Sequence, residues 1–231
     1  MDKVNSGEAN VERPQADDVR RPPPEGVKET WGGPAFPCDA TLERRSVVEA
    51  LLRDRGEALL ISGLGSPSYD VFAQGDHPGN FYLWGAMGGA ALIGMGLALA
   101  QPRRPVIVIT GDGEQLMGLG GLATIAVRRP PNLSIVVLDN GHFGETGMQL
   151  SHTGAGVALD RVAESLGFAH TGDVRSAAQL AGVRDALHDV ECGPRLFRVR
   201  IRAENPARAL PARDGVFLKN RFREHLGFRV A

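Results

Sequence analysis

An aspartate and an asparagine, Asp112 and Asn140, stand 28 residues apart, and each closely follows a run of apolar residues. Asp112 offers an anionic oxygen and Asn140 a neutral amide oxygen. Mg²⁺ takes few protein ligands of this kind and completes its shell with phosphate oxygens and water. Gly111 and Gly113 flank the aspartate, so that backbone N–H groups can approach an anion at the start of a helix. These residues indicate a Mg²⁺ site that holds a diphosphate.

Two buried strands and a helix between them must position this pair. Val106 to Thr110 is an apolar run that ends at a glycine, as strands buried on both faces do, and 133–138 is a second such run. Apolar residues at helical spacing over Glu114–Val127 predict one helix between them, although Gly118, Gly120 and Gly121 weaken it locally unless something packs closely there. Parallel strands joined by a helix would bring Asp112 and Asn140 to the same carboxyl edge of the sheet.

Strands and helices alternate through most of the remaining chain. We expect Thr41 to cap a first helix that ends near Arg55-Gly56. The further predicted strands are Ala58–Ser62, Asn80–Trp84, Phe168–Thr171 and Arg195–Ile201, and the further predicted helices are Ser68–Ala73, Ala158–Leu166 and Ser176–Asp189. This order predicts an α/β fold with a doubly wound, mostly parallel sheet of about six strands and helices on both faces.

Two other strand-to-helix turns should reach the same edge. Gly63-Leu64-Gly65-Ser66 follows the first predicted strand, and 85–89 follows the next one. Glycines there allow a backbone or a ligand to approach closely. From the residues alone, an ordinary strand-to-helix turn explains the first segment equally well, and a methionine such as Met87 in the second is more often a core residue than a site residue.

The composition excludes several classes of protein. The chain of 231 residues has 26 basic and 27 acidic residues and 6% aromatics, which argues against nucleic acid as a partner. Cys38 and Cys192 have no metal-ligand spacing, and no secretory signal is visible, so we expect a cytoplasmic protein. The uncharged stretch Phe81–Ala100 is long enough to span a membrane but contains five glycines, and we interpret it as a strand end and a buried helix.

The domain boundary is expected near residue 40. Residues 1–40 are mostly polar and proline-rich, and we expect a disordered or extended segment there. The folded domain should then comprise residues 41–231.

The motif around the aspartate resembles a known family. Gly111-Asp112-Gly113, followed at a distance by Asn140, is similar to the cofactor motif of thiamine-diphosphate-dependent enzymes. The segments 139–142, 146–149 and 152–153 are similar to the β subunits of sulfopyruvate decarboxylase and to phosphonopyruvate decarboxylases. The resemblance extends from about Leu42 to Phe222.

The resemblance implies thiamine diphosphate and Mg²⁺ as cofactors and a 2-oxoacid decarboxylase that releases CO₂ and an aldehyde. It implies that Mg²⁺ is held by Asp112, Asn140 and the main-chain carbonyl of His142. The implied cofactor-binding residues are Gly63, Leu64, Gly65, Ser66, Gly85, Met87, Gly88, Gly111, Asp112, Gly113, Glu114, Asn140, His142, Phe143 and Gly144.

The segment Gly141–Gly156 is long, polar and glycine-rich, as lids at a ligand edge often are. His142, Glu145 and His152 lie within it and are candidates for catalytic contact with substrate, although solvated loop histidines would look the same. The basic tail Arg198–Arg229 is interpreted as a solvated face or a subunit contact.

The family site needs a second domain that binds the pyrimidine ring and supplies a catalytic glutamate, and this chain has no residues left to build one. We therefore expect a pyrimidine-domain α subunit as partner, in a heterotetramer or larger assembly. A thiamine-dependent carboligase or lyase subunit and a non-catalytic diphosphate-binding module stay open as alternatives. A dinucleotide site is disfavoured, because Gly63-Leu64-Gly65 lacks the third glycine at the expected position.

Overall fold

The computed structural model describes residues 42–229. The predicted N-terminal segment 1–40 and the predicted helix cap at Thr41 lie outside these residues, and Glu43 caps the first helix instead, by accepting hydrogen bonds from two backbone N–H groups of that helix. The strands are β1 (Leu59–Ser62), β2 (Asn80–Tyr82), β3 (Val106–Gly111), β4 (Leu133–Asp139), β5 (His142–Phe143), β6 (Gln149–Leu150), β7 (His170–Val174) and β8 (Arg195–Arg200). The helices are α1 (Arg44–Leu52), α2 (Ser66–Ala73), α3 (Ala90–Ala100), α4 (Asp112–Met117), α5 (Leu119–Arg128), α6 (Leu159–Ser165), α7 (Ala177–Leu187) and α8 (Gly215–His225).

Six strands form one parallel sheet in the order β2-β1-β3-β4-β8-β7. The chain runs outward from β1 in one direction and from β3 in the other, so a topological switch point lies between β1 and β3, where open α/β sheets bind ligands. In the β3–β4 register, Gly111 is opposite Leu138, which places the ends of these two strands side by side. The predicted α/β fold is confirmed.

Alternate residues of the central strands pack into two separate hydrophobic cores. Ile107 and Ile109 of β3 join a cluster that includes residues of α1, α2 and α7. Val106 and Val108 join a second cluster, with residues of α3, α5 and α6. Both faces of the sheet are covered, which explains why its central strands are continuous apolar runs.

The single helix predicted over Glu114–Val127 is wrong, because the structure breaks it at Gly118 into α4 and α5. A Cβ atom at Gly118 would lie 2.0 Å from the backbone oxygen of Gly88. The helix breaks where Gly118 is in close contact with the turn after β2. The cause is a contact distant in sequence, which helical periodicity does not report.

Three other expectations need correction. Arg198 is fully buried in β8 and not on a solvated face. The interpretation of Phe81–Ala100 as ending in a buried helix holds only in part, since Leu92, Ile93 and Leu99 of α3 are each more than a third exposed. The lid segment contains a small antiparallel hairpin, β5–β6, where only a loop was expected. No helix of the described residues is long and apolar enough to cross a membrane.

Candidate functional site

A pocket lies at the carboxyl edge of the sheet, where the segments after β1, β2, β3 and β4 meet. Its lining includes Leu64, Ser66, Met87, Gly111, Asp112, Gly113, Glu114, Asn140, His142, Phe143, Gly144 and Glu145 from the predicted site residues. Arg44, Pro67, Leu138 and Thr146 complete the lining. The structure thus brings together residues from five segments of the chain, at 44, 64–67, 87, 111–114 and 138–146.

Five predicted site residues are not part of this lining: Gly63, Gly65, Gly85, Gly88 and His152. Three of these glycines are in close contact with neighbouring residues. An added Cβ atom would lie within 3 Å of Glu114 at Gly63, of Glu145 at Gly65 and of Gly118 at Gly88. Nothing approaches the Cβ position of Gly85. The His152 ring packs edge-on against Phe143, with the ring centroids 6.3 Å apart.

Asp112 is buried immediately after β3, and two hydroxyl groups hold its carboxylate. Ser151 Oγ donates to Asp112 Oδ2 at 2.5 Å, and Thr153 Oγ1 lies 2.8 Å from the same oxygen. Burial, and next the nearby charge of Asp139, raise the pKa of Asp112 to about 6. A cation beside this carboxylate would offset both effects.

Asn140 and His142 are linked by their own backbone. The side-chain oxygen of Asn140 accepts a hydrogen bond from the backbone N–H of His142 at 2.9 Å, and His142 Nδ1 lies 2.8 Å from the Asn140 carbonyl oxygen. This turn fixes the asparagine side chain at the end of β4, in the pocket that Asp112 also lines. The amide oxygen has a second lone pair for another donor or a cation.

Glu114 points inward and ties the β1 loop to α4. Its Oε2 accepts the backbone N–H of Leu64 at 2.9 Å and the hydroxyl of Thr110 at 3.1 Å. A Cβ atom at Gly63 would lie 1.9 Å from that oxygen, so a side chain there would displace the Glu114 carboxylate. Burial is the main cause that raises the pKa of Glu114 above its ordinary value. We expected its backbone to face the diphosphate, and no sequence pattern predicted this side-chain contact.

Glu145 connects the hairpin segment to two other parts of the chain. Ser66 donates to Glu145 Oε1 at 3.0 Å, and Arg208 donates to Glu145 Oε2 at 3.2 Å. The Arg208 guanidinium also lies 5.8 Å from the centroid of the Tyr69 ring. Sequence reasoning missed Arg208, because it comes from an irregular segment more than 60 residues after Glu145.

The donor set fits a Mg²⁺-bound diphosphate. Asp112 and Asn140 line one pocket and carry a carboxylate and an amide oxygen, and the described residues contain no cluster of three or more His, Cys, Asp or Glu side chains that would indicate a closed metal site. Mg²⁺ commonly uses one or two protein carboxylates and takes its remaining ligands from phosphate and water. Gly113 lets the Phe143 ring pack closely against the start of α4, since a Cβ atom there would lie 2.7 Å from that ring.

The fold and the pocket define an open α/β domain with a diphosphate-type site at its switch point. Residues 68–197 match the family model described as thiamine pyrophosphate enzyme, C-terminal TPP binding domain. The chain belongs to this family. The resemblance inferred from the sequence is confirmed.

Curated relatives include decarboxylases. The chain is 46% identical over 127 residues to sulfopyruvate decarboxylase subunit beta of Methanothermobacter thermautotrophicus, covering 55% of this chain and 68% of the relative. It is 40% identical over 165 residues to phosphonopyruvate decarboxylase of Streptomyces viridochromogenes, covering 71% of this chain and 39% of the relative. The chain therefore spans about two thirds of the first protein and well under half of the second.

Among solved structures, the thiamine diphosphate-dependent 4-hydroxybenzoylformate decarboxylase of Rhodococcus jostii RHA1 superposes with a TM-score of 0.60 at 25% identity. The match covers 72% of this chain and 34% of that enzyme. The similarity agrees with the family and the α/β fold.

Proposed function

We propose that this chain is the cofactor-anchoring subunit of a heteromeric, thiamine-diphosphate-dependent 2-oxoacid decarboxylase, which releases CO₂ and an aldehyde. The observation that carries the proposal is the meeting of Asp112 and Asn140 in one pocket with the glycine-rich turns after β1 and β3. The relatives support it, because those named above are decarboxylases of sulfopyruvate and phosphonopyruvate.

In this proposal Asp112, Asn140 and the main-chain carbonyl of His142 hold Mg²⁺. The pocket residues around Gly113 and Phe143 surround the diphosphate. When bound, thiamine diphosphate supplies the carbon nucleophile and the electron sink for decarboxylation. The role of this chain is to hold that group in a fixed orientation and to keep the metal charge beside the phosphate oxygens.

The proposal assigns the catalytic glutamate to a partner subunit with a pyrimidine-binding domain. The two glutamates of this pocket are already engaged, since Glu114 accepts from Leu64 and Thr110, and Glu145 accepts from Ser66 and Arg208. Glu114 Oε1 is buried without a hydrogen-bond partner in the described part of the chain, so the assignment rests on position: we place both glutamates on the diphosphate side of the proposed site, away from the pyrimidine ring. The name of the first relative, a subunit beta, supports a second subunit.

An exposed apolar surface on α3, α4 and α5 supports the same assignment. We call it the α3–α5 face, and its exposed large residues are Leu92, Ile93 and Leu99 of α3, Met117 at the end of α4 and Val127 of α5. Met117 is 64% exposed and Val127 is 82% exposed. Met87, which lines the pocket, is also 40% exposed, so this apolar surface comes close to the site. Large exposed apolar patches typically mark protein interfaces, and we assign this face to the α subunit in a heterotetramer or larger assembly.

The substrate is proposed to approach the side of the pocket formed by the lid segment. His142 and Glu145 line this side, and they are the candidates in this chain for contact with a small 2-oxoacid. His152 is a weaker candidate, because its ring packs against Phe143 behind the lining.

Titration calorimetry of the purified chain tests the anchor. We expect thiamine diphosphate to bind only when Mg²⁺ is present, and NAD not to bind under either condition. Binding of NAD with no response to thiamine diphosphate would contradict the proposal.

A second experiment tests the assignment of the catalytic glutamate. The chain alone, with saturating cofactor and Mg²⁺, should release no aldehyde from sulfopyruvate, phosphonopyruvate or pyruvate, and activity should appear on mixing with the pyrimidine-domain subunit. Robust turnover by the isolated chain would refute the shared site.

A further inference from the structure

A pair of buried hydroxyl groups lies behind the proposed metal ligand. Ser151 and Thr153 follow the β5–β6 hairpin, and although they belong to a polar segment their side chains are 0% and 1% exposed. Their hydroxyl oxygens are 2.9 Å apart and lie 2.5 and 2.8 Å from Asp112. Both hydroxyl groups of this polar segment therefore point into the protein and contact the same carboxylate.

Both hydroxyls approach the same carboxylate oxygen. The contacts of Ser151 and Thr153 are to Asp112 Oδ2, and among the described residues no other side chain hydrogen-bonds to this carboxylate. Ser151 donates to Oδ2, and the single hydroxyl proton of Thr153 goes either to this oxygen or to Asp139 Oδ1, whereas Oδ1 of Asp112 receives no side-chain donor. Hydrogen bonds to one oxygen fix the rotation of the carboxylate and leave the second oxygen for another ligand.

A second buried acid holds Thr153 in place. Thr153 Oγ1 lies 2.7 Å from Asp139 Oδ1, which also accepts the backbone N–H of Gly141. The other oxygen of Asp139 accepts a hydrogen bond from Nε of Arg198, whose side chain is 1% exposed. The sequence of contacts from Arg198 through Asp139 and Thr153 to Asp112 runs across the ends of β8, β4 and β3.

This arrangement of buried charges would destabilise the folded protein if it had only a structural role. Two carboxylates, Asp112 and Asp139, share one hydroxyl as neighbour, and one arginine faces them from the far side. Buried charges are destabilising unless they are fully compensated. A cation at the free oxygen of Asp112 would supply the missing positive charge.

We propose that Ser151 and Thr153 are positioning residues that orient the Asp112 carboxylate toward the metal, and that Asp139 and Arg198 hold Thr153 for this purpose. The inference rests on the proposed function, because it assumes that Asp112 binds the metal. Neither Ser151 nor Thr153 contacts the diphosphate in this proposal. Loss of such supporting hydrogen bonds typically lowers metal affinity by about 10–100-fold.

The test compares the Mg²⁺ requirement of cofactor binding in full-length variants. Thiamine diphosphate is titrated by calorimetry at a series of Mg²⁺ concentrations for the wild type, Ser151→Ala and Thr153→Val. Both variants should need about 10-fold more Mg²⁺, or more, for half-maximal binding. At saturating Mg²⁺ their affinity for the cofactor should return close to that of the wild type, because the defect lies in the metal site.

Two further variants separate positioning from packing. Thr153→Ser keeps the hydroxyl and should restore the Mg²⁺ requirement to within a few-fold of the wild type. Ser134→Ala removes a different fully buried serine hydroxyl, at the far end of β4, and should leave it unchanged. Thr153→Val keeps the side-chain volume and decides the question if Ser151→Ala fails to fold.

The outcomes are distinct. A wild-type Mg²⁺ requirement in both Ser151→Ala and Thr153→Val would overturn the positioning role, and so would an equal defect in Ser134→Ala. Absence of Mg²⁺-dependent binding in the wild type would instead refute the proposed function itself.

Discussion

Replacing Asp112 by asparagine should stabilise the cofactor-free protein while it abolishes metal-dependent binding. Burial and the nearby Asp139 raise the pKa of Asp112 from an ordinary value of 3.8 to about 6. The folded state therefore binds a proton that the unfolded chain releases, and stability falls as the pH rises from about 4 to about 6. Above that window, the ionised carboxylate costs about 3 kcal/mol in the folded protein. An amide carries no charge and avoids this cost.

The expected gain depends on pH. At pH 8, Asp112→Asn should raise the free energy of unfolding by about 1–3 kcal/mol, the lower value allowing for weaker hydrogen bonds from Ser151 and Thr153 to an amide. At pH 4.5, where the folded wild type is protonated at this position, about 2 kcal/mol of that gain should disappear. The pH-dependent part is the sharper test, because altered packing contributes equally at both pH values.

Urea unfolding of metal-free protein at pH 8 and pH 4.5 measures this difference. Asp185→Asn, in an exposed part of α7, is the matched control and should change stability little at either pH. The reasoning is refuted if Asp112→Asn gives the same change at both pH values, or if it destabilises the protein more at pH 8 than at pH 4.5.

Three other changes test separate parts of the account. Gly63→Ala places a Cβ atom 1.9 Å from Glu114 Oε2. This variant should lower the free energy of unfolding by about 1–3 kcal/mol and weaken cofactor binding. The control Gly182→Ala, in the open interior of α7, should instead stabilise the protein by about 0.5–1 kcal/mol. Equal stability of the Gly63→Ala variant and the wild type in urea would show that the turn is free to move. Val127→Asp should prevent association with the α subunit in sedimentation experiments and leave cofactor-free melting unchanged, and wild-type association would remove the α3–α5 face from the interface. A chain that begins at Thr41 should still fold and bind thiamine diphosphate, and loss of folding would show that the first 40 residues contribute to the domain.

The sequence predicted the fold well because its signals are local or periodic. The apolar run before Gly111 and the strand–helix alternation indicated a parallel sheet, and Asp112 and Asn140 were expected at one edge because strand order alone brings them there. The break at Gly118 was missed, since it depends on the backbone of Gly88, 30 residues earlier. No pattern within one helix contains that information.

The supporting residues of the site were missed for a related reason. Ser151 lies in a segment that has the composition of a solvated loop, and only the folded hairpin turns its hydroxyl inward to Asp112. The position of Arg198 in its strand was informative, but we interpreted it as part of a solvated face or a subunit contact. Arg198 lies between Phe197 and Val199 in the middle of β8, in register with Val137 and beside the strand that ends at Asp139, and this placement indicates a buried ion pair better than it indicates a solvated face.

The central claim is that Asp112 and Asn140 together hold the metal of a diphosphate cofactor. Anomalous diffraction from crystals of this chain grown with Mn²⁺ and thiamine diphosphate tests it most directly, because it locates the metal without reference to activity. The account predicts one strong anomalous peak within bonding distance of a side-chain oxygen of each residue, with phosphate density adjoining it and Oδ2 of Asp112 still bound to Ser151. A peak elsewhere on the chain, or cofactor density without metal between Asp112 and Asn140, would contradict the account.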